Sequence, residues 1–282
     1  MIVDSHCHTS DRWYEPVEVL VAQMDRLNID AAVLTQYSGQ FDNSYQAQCV
    51  SRYPGRLVSV VVVDVNSADA PNHLTELVSA GAVGVRLRPM DRSPGIDSLA
   101  VWRRASTLGI TVTSLGTPAE FLSPEFQEVL ETFPDLPVII EHLGTRGETG
   151  HQYTPEKAAE VFGLSRFNNV HLKFHGLAEF SPRVPDRTSR ARFIRPLRPH
   201  LHLALDAFGS DRLLWGSDFP PVSAREGYES ALIGPMQALR ELGATTTEID
   251  KMFGHNASLL FRIPQKESAS VAQPGGLDAS TR

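Results

Sequence analysis

Eight short runs of Val, Ile and Leu recur along the chain, about 25 to 45 residues apart, each ending in polar or glycine-rich sequence. They cover residues 2–6, 31–35, 57–63, 83–87, 110–114, 138–141, 170–174 and 213–215. A strand covered on both faces has no polar side to show, so it reads as a continuous apolar run. Helix-like stretches fill the gaps: 16–27, 70–80, 97–108, 124–133, 155–164, part of 190–208 and part of 226–242. Pro16 suits an early helical position, and Gly81 and Gly109 are natural C-terminal stops. Eight β-then-α units predict an α/β chain folded as a single-domain (β/α)8 TIM barrel over residues 1–263. An open doubly wound sheet is the competing architecture; no GxGxxG loop follows the first strand to support it as a dinucleotide binder. Residues 264–282 are rich in Ser, Ala, Gln and Gly, and are expected to form a mobile tail.

Composition narrows the function. With 282 residues and 41% hydrophobic content the chain can bury a large core. Its net charge of −7 argues against general binding of nucleic acid or anionic membranes. Cys7 and Cys49 are its two cysteines, too few for a disulfide framework, so a reducing, cytoplasmic setting is expected. No apolar run approaches membrane-spanning length, and no signal-peptide pattern opens the sequence. Self-association is compatible with all of this.

The first run reads Asp4-Ser5-His6-Cys7-His8. Strand alternation predicts Asp4, His6 and His8 on one face and Cys7 on the other. If that face looks inward, two imidazoles converge at the C-terminal mouth, where barrel active sites lie. Such a pair can chelate Zn²⁺ or Mn²⁺. The last strand ends Trp215-Gly216-Ser217-Asp218, beside strand one in a closed barrel. Asp218 there can bind a metal or take a proton from water; its blander reading is a helix cap. His142 is expected at the mouth, sharing a face with Ile140. On strand seven His171, Lys173 and His175 share one parity, with His175 nearest the mouth; a lysine inside the barrel demands a partner.

Arginines gather on the same rim. Arg86, Arg88 and Arg92 follow strand four, Arg146 follows strand six, and Arg183 and Arg187 follow strand seven. Guanidinium forks grip carboxylates or phosphates in two-point contacts, so a small anionic substrate is expected, held by two or three of the six.

These residues together resemble the amidohydrolase superfamily, and within it the amidohydrolase-related barrels that include lactonases and non-oxidative decarboxylases. The matching elements are Asp4-Ser5-His6-Cys7-His8, Gly84-Val85-Arg86-Leu87, Glu141-His142-Leu143-Gly144, Trp215-Gly216-Ser217-Asp218-Phe219-Pro220, Asn256-Ala257 and Leu260-Phe261. The resemblance implies that His6 and His8 are a strand-one metal pair, Asp218 a ligand and the general base, and His142 a catalytic histidine. Strand five ends Ser114-Leu115-Gly116, without the histidine that metal-binding decarboxylases carry there. His175 stands where many relatives have a small residue, and either replaces that ligand or contacts substrate.

The expected activity is opening of a lactone, or of a related ester or amide, by activated water, with Arg86, Arg88, His175 and Arg183 on the substrate. One divalent ion, Zn or Mn, is expected, weakly held or dispensable, because strand four ends in arginine and offers no bridging ligand for a second. His142 and His175 both remain candidates for a fourth ligand. The alternative enzyme is a metal-dependent decarboxylase of an aromatic or dienoic acid; the non-enzyme alternative is a barrel kept as a binding protein.

Overall fold

In the computed structural model, which describes residues 1–145, 152–179 and 198–264, every apolar run is a strand. The strands are β1 Val3–Cys7, β2 Ala31–Thr35, β3 Leu57–Val61, β4 Gly84–Leu87, β5 Thr111–Ser114, β6 Val138–Ile140, β7 Val170–Phe174 and β8 Leu213–Trp215. All pair in parallel and in chain order from β1 to β8. The chain leaving β8 then returns to β1: the Asp218 N–H donates to the His6 carbonyl (2.9 Å) and the His8 N–H to the Phe219 carbonyl (2.8 Å). This is a (β/α)8 barrel in a single domain.

Helices occupy each gap where the sequence places one, from Val17–Leu27 to Tyr228–Glu241. Ser123 and Thr154 cap two of them by accepting the N–H three residues on. The connection after β2 departs from expectation, because Ser44–Arg52 is helical. It buries only Gln46 and Cys49, too thin a stripe for an apolar period to reveal.

Apolar layers lie on both sides of β1, β2, β3, β6 and β8, whereas β4, β5 and β7 turn Arg86, Thr113 and Lys173 inward. Outside, residues such as Cys7, Leu34, Val85, Ile140, Leu172 and Trp215 pack against the helices. Inside, Val3, Val33, Val60, Ile139 and Leu214 pack on Ala257, Phe261 and Ile263. The helix Asn256–Leu260 and the residues after it therefore seal the barrel floor. Asn256 ties that seal to the carbonyls of Ser210 and Leu213, both at 2.8 Å.

Of the tail expected over residues 264–282, residues 265–282 lie outside the described residues, as do Arg146, Arg183 and Arg187. Among the described residues no helix is long and apolar enough to cross a membrane.

Candidate active site

The strand alternation expected for β1 fails at one point. Pairing between β1 and β2 shifts register between Asp4 and Cys7, as at a β-bulge. Val3 thus faces the inner cluster, and Asp4 does not join His6 and His8. Its carboxylate instead accepts from Ser217 N–H (2.8 Å), Ser217 Oγ (2.6 Å) and Tyr228 Oη (2.5 Å). Asp4 is a tether between β1, the turn after β8 and the helix layer. After the bulge His6 and His8 point inward and Cys7 packs outward, as the sequence leads one to expect.

His8 Nδ1 lies 2.6 Å from the Thr35 carbonyl, so that nitrogen carries the proton and Nε2 the lone pair. His8 Nε2 is 3.2 Å from His6 Nε2 and 3.7 Å from Asp218 Oδ1, and His6 Nε2 is 3.9 Å from the same oxygen. Two nitrogens each about 2.0–2.1 Å from a tetrahedral zinc lie about 3.3 Å apart. Burial keeps both imidazoles neutral, pushing His8 down to about 3 and His6 well below its ordinary value. This donor set fits one divalent cation held by His6, His8 and Asp218. His175 also donates from Nδ1, to the Gly216 carbonyl (2.8 Å), and its buried Nε2 has no partner among the described residues. Its ring centroid is 5.0 Å from that of His6 and 4.4 Å from that of His142. Gly216 permits this crowding: a Cβ there would lie 2.6 Å from His6 Cβ.

His142 reaches the site by a route the strand period does not describe. β6 ends at Ile140, which faces the helices, and His142 and Leu143 both take a φ of +53°. The side chain that continues the inner face after Ile139 is Glu141, fully buried. Its Oε2 accepts from Arg86 Nε (3.0 Å) and Nη2 (2.7 Å), while Arg86 Nη1 donates to the Gln36 carbonyl (3.1 Å). Burial alone would raise the Glu141 carboxyl; Arg86, Lys173 and His142 outweigh it and hold it down to about 2. Lys173 is inside the barrel, donating to the Ser5 carbonyl at 2.9 Å, 3.4 Å from His6 Nδ1 and above the Phe261 ring. Burial lowers it to about 8.

Above this layer opens a cavity of about 290 Å³, walled by His8, Tyr14, Tyr37, Arg86, His142 and Asp218 together with Glu179 and Arg225. Asp218 Oδ2 accepts from Arg225 Nη1 at 2.9 Å, and burial raises its carboxyl. His142 Nδ1 pairs with Glu179 Oε1. Burial opposes a proton on His142, but Glu179, Asp218 and Glu141 prevail and raise its pKa.

The structure thus brings His6, His8, His142, Arg86 and Asp218 together. It does not bring Arg88 to that cavity: Arg88 lines a neighbouring hollow that shares Ser38 and Arg86 with it. Nor is His175 on the cavity wall; it is 2% exposed, beneath the mouth. Arg92 binds the carbonyls of Pro89, Asp91 and Glu125. Three participants escaped the sequence reading. Glu141 was detectable, as an acid two residues after an inward Ile139. Glu179 and Arg225 sit after strand ends, where no period marks a side chain's direction.

Comparison with known proteins adds four findings. A family model described as amidohydrolase matches residues 3–263. An L-fucono-1,5-lactonase of Burkholderia ambifaria is 27% identical over 257 residues, covering 83% of this chain and 80% of that one. Among solved structures, an amidohydrolase from Burkholderia multivorans with bound zinc superimposes with a TM-score of 0.73 at 18% identity, covering 94% of this chain and 100% of its own. An Acinetobacter baumannii structure with citric acid bound, described as a probable 2-pyrone-4,6-dicarboxylic acid hydrolase, gives 0.67 at 20% identity, covering 93% and 99%.

Proposed function

The chain belongs to the amidohydrolase family, and from that premise we propose that it hydrolyses a lactone of a small, carboxylate-bearing molecule. The observation that carries this reading is the convergence of His6, His8 and Asp218 at the base of a cavity that His8 and Asp218 line and that two guanidinium groups, Arg86 and Arg225, also wall. The likeness to a relative named as a lactonase supports it.

Opening a lactone needs a proton removed from water and one delivered to the departing ring oxygen. Asp218 Oδ1 faces the histidine pair and would ligate a cation there, while Oδ2, oriented by one N–H from Arg225, keeps a second lone pair to accept the proton from water and later return it. His142, its Nδ1 held by Glu179, turns its other nitrogen to the substrate oxygen on which charge develops. Arg86 spends three of its five N–H donors on Glu141 and Gln36. Two remain for a substrate carboxylate. Arg88, in the adjoining hollow, and Arg183 are further anchors for a longer anion. When bound by His6, His8 and Asp218, a divalent cation supplies Lewis acidity and a lowered water pKa.

Proton release measured by pH-stat over a panel of lactones, with and without a carboxylate, tests the reading. Turnover should favour the carboxylated members. Carbon dioxide evolved from aromatic acids, with no lactone opened, would replace it by decarboxylation. Elemental analysis should give at most one Zn or Mn per chain, lowered by His6→Ala; two ions surviving dialysis against chelator would refute a single site.

A further inference from the structure

The chain after β8 makes three attachments in four residues. Arg225 binds Asp218, Glu226 reaches the chain after β7, and Tyr228 binds Asp4. The first and third are tied to groups already described; the second has no role so far. Glu226 is 8% exposed. Its Oε2 accepts the Ala178 N–H at 3.1 Å, and its Oε1 is buried with no partner among the described residues. The carboxyl lies directly on the backbone of Gly176, where any Cβ would come within 1.8 Å of Oε1. A buried carboxyl with one hydrogen bond costs stability, so its persistence calls for a reason beyond packing.

The next residue supplies one. The Glu179 N–H closes a turn onto the Gly176 carbonyl at 3.2 Å, and its side chain pairs with His142 Nδ1. Holding Gly176–Ala178 fixes where that turn stands, and hence whether Glu179 meets His142. We propose that Glu226 is a positioning residue: it clamps the turn after β7 so that Glu179 holds His142 toward the substrate. The same dipeptide, Arg225-Glu226, then sets both catalytic groups, Asp218 directly and His142 through Glu179. Burial pushes the Glu226 carboxyl up to about 7, so an amide is a fair mimic of it.

The kinetic arm of the test rests on lactone hydrolysis by His142 and Asp218; the spectroscopic arm does not. In Glu226→Ala, kcat should fall about 10- to 100-fold, the scale of misplacing a reacting group by an ångström. KM should stay within about twofold, because Glu226 does not line the cavity. Glu226→Gln should restore most of the loss, since its amide oxygen can accept the same N–H. Proton NMR reads the clamp without turnover. The imidazole proton shared between His142 and Glu179 should give a strongly deshielded resonance, assigned by its absence in His142→Gln. It should vanish in Glu226→Ala and return in Glu226→Gln. Should the Ala variant not fold, Glu226→Asp, too short to reach Ala178, takes its place with the same expectation. Wild-type kcat and resonance in the Ala or Asp variant, or no rescue by Gln, would overturn the clamp. If the wild-type protein opens no lactone, the functional reading fails and the resonance alone decides the clamp.

Discussion

At the floor of the barrel Val3, Ile139 and Leu214 pack on Phe261 and Ile263. A few residues further along the same chain segments, at the mouth, His6, Glu141 and Asp218 meet charged partners instead. Both regions are buried, yet they tolerate burial for opposite reasons. The floor removes apolar surface from water, and each side chain contributes nearly on its own account. The mouth holds Glu141, Arg86 and Lys173 where a lone charge would be very costly, so each is tolerable only because the others are present. Difference in chemistry therefore implies difference in response: floor substitutions should cost stability and spare chemistry, and mouth substitutions should be coupled.

The sharpest break between the regions comes from Asp218→Asn. Lactone turnover should drop by about 10²–10⁴-fold, the usual worth of a placed general base, while the melting temperature changes little. Activity within tenfold of the parent would remove Asp218 from that role. Glu141→Gln is next. It leaves Arg86 and Lys173 buried without their carboxylate and should cost about 3–5 kcal/mol in denaturant unfolding. Adding Arg86→Met to it should recover part of that loss; strict additivity would show the mouth is not a coupled network. Phe261→Ala should cost a similar about 3–5 kcal/mol through the cavity left at the floor. Its kcat on the remaining folded protein should be unchanged, which initial rates normalised to folded fraction will check.

The smallest effect is a pH dependence at the floor end of β7. His171 is lowered to about 4 by burial. Its folded pKa lies below the unfolded value of about 6.5. The unfolded chain therefore binds more protons between those values, and stability present above pH 6.5 is lost as pH falls through 4. His171→Gln should flatten that part of the stability curve; an unchanged slope would assign it to other groups.

The barrel itself was legible in the sequence because burial on both faces writes itself as local apolar runs, and turns write themselves as glycine and proline. β2, β7 and β8 begin and end where those runs do. His6, His8 and Asp218 were legible too, since a strand end in a barrel has a known destination. Tertiary structure decided the rest. A bulge in β1 sent Asp4 to Tyr228, positive φ at His142 and Leu143 carried an imidazole off its strand, and parity alone could not say that Arg86 would be met by Glu141. Glu179, Arg225 and Glu226 gain meaning only from neighbours 37, 7 and 48 residues away. Periodicity is a property of a single segment, whereas a contact between loops depends on where eight segments place their ends.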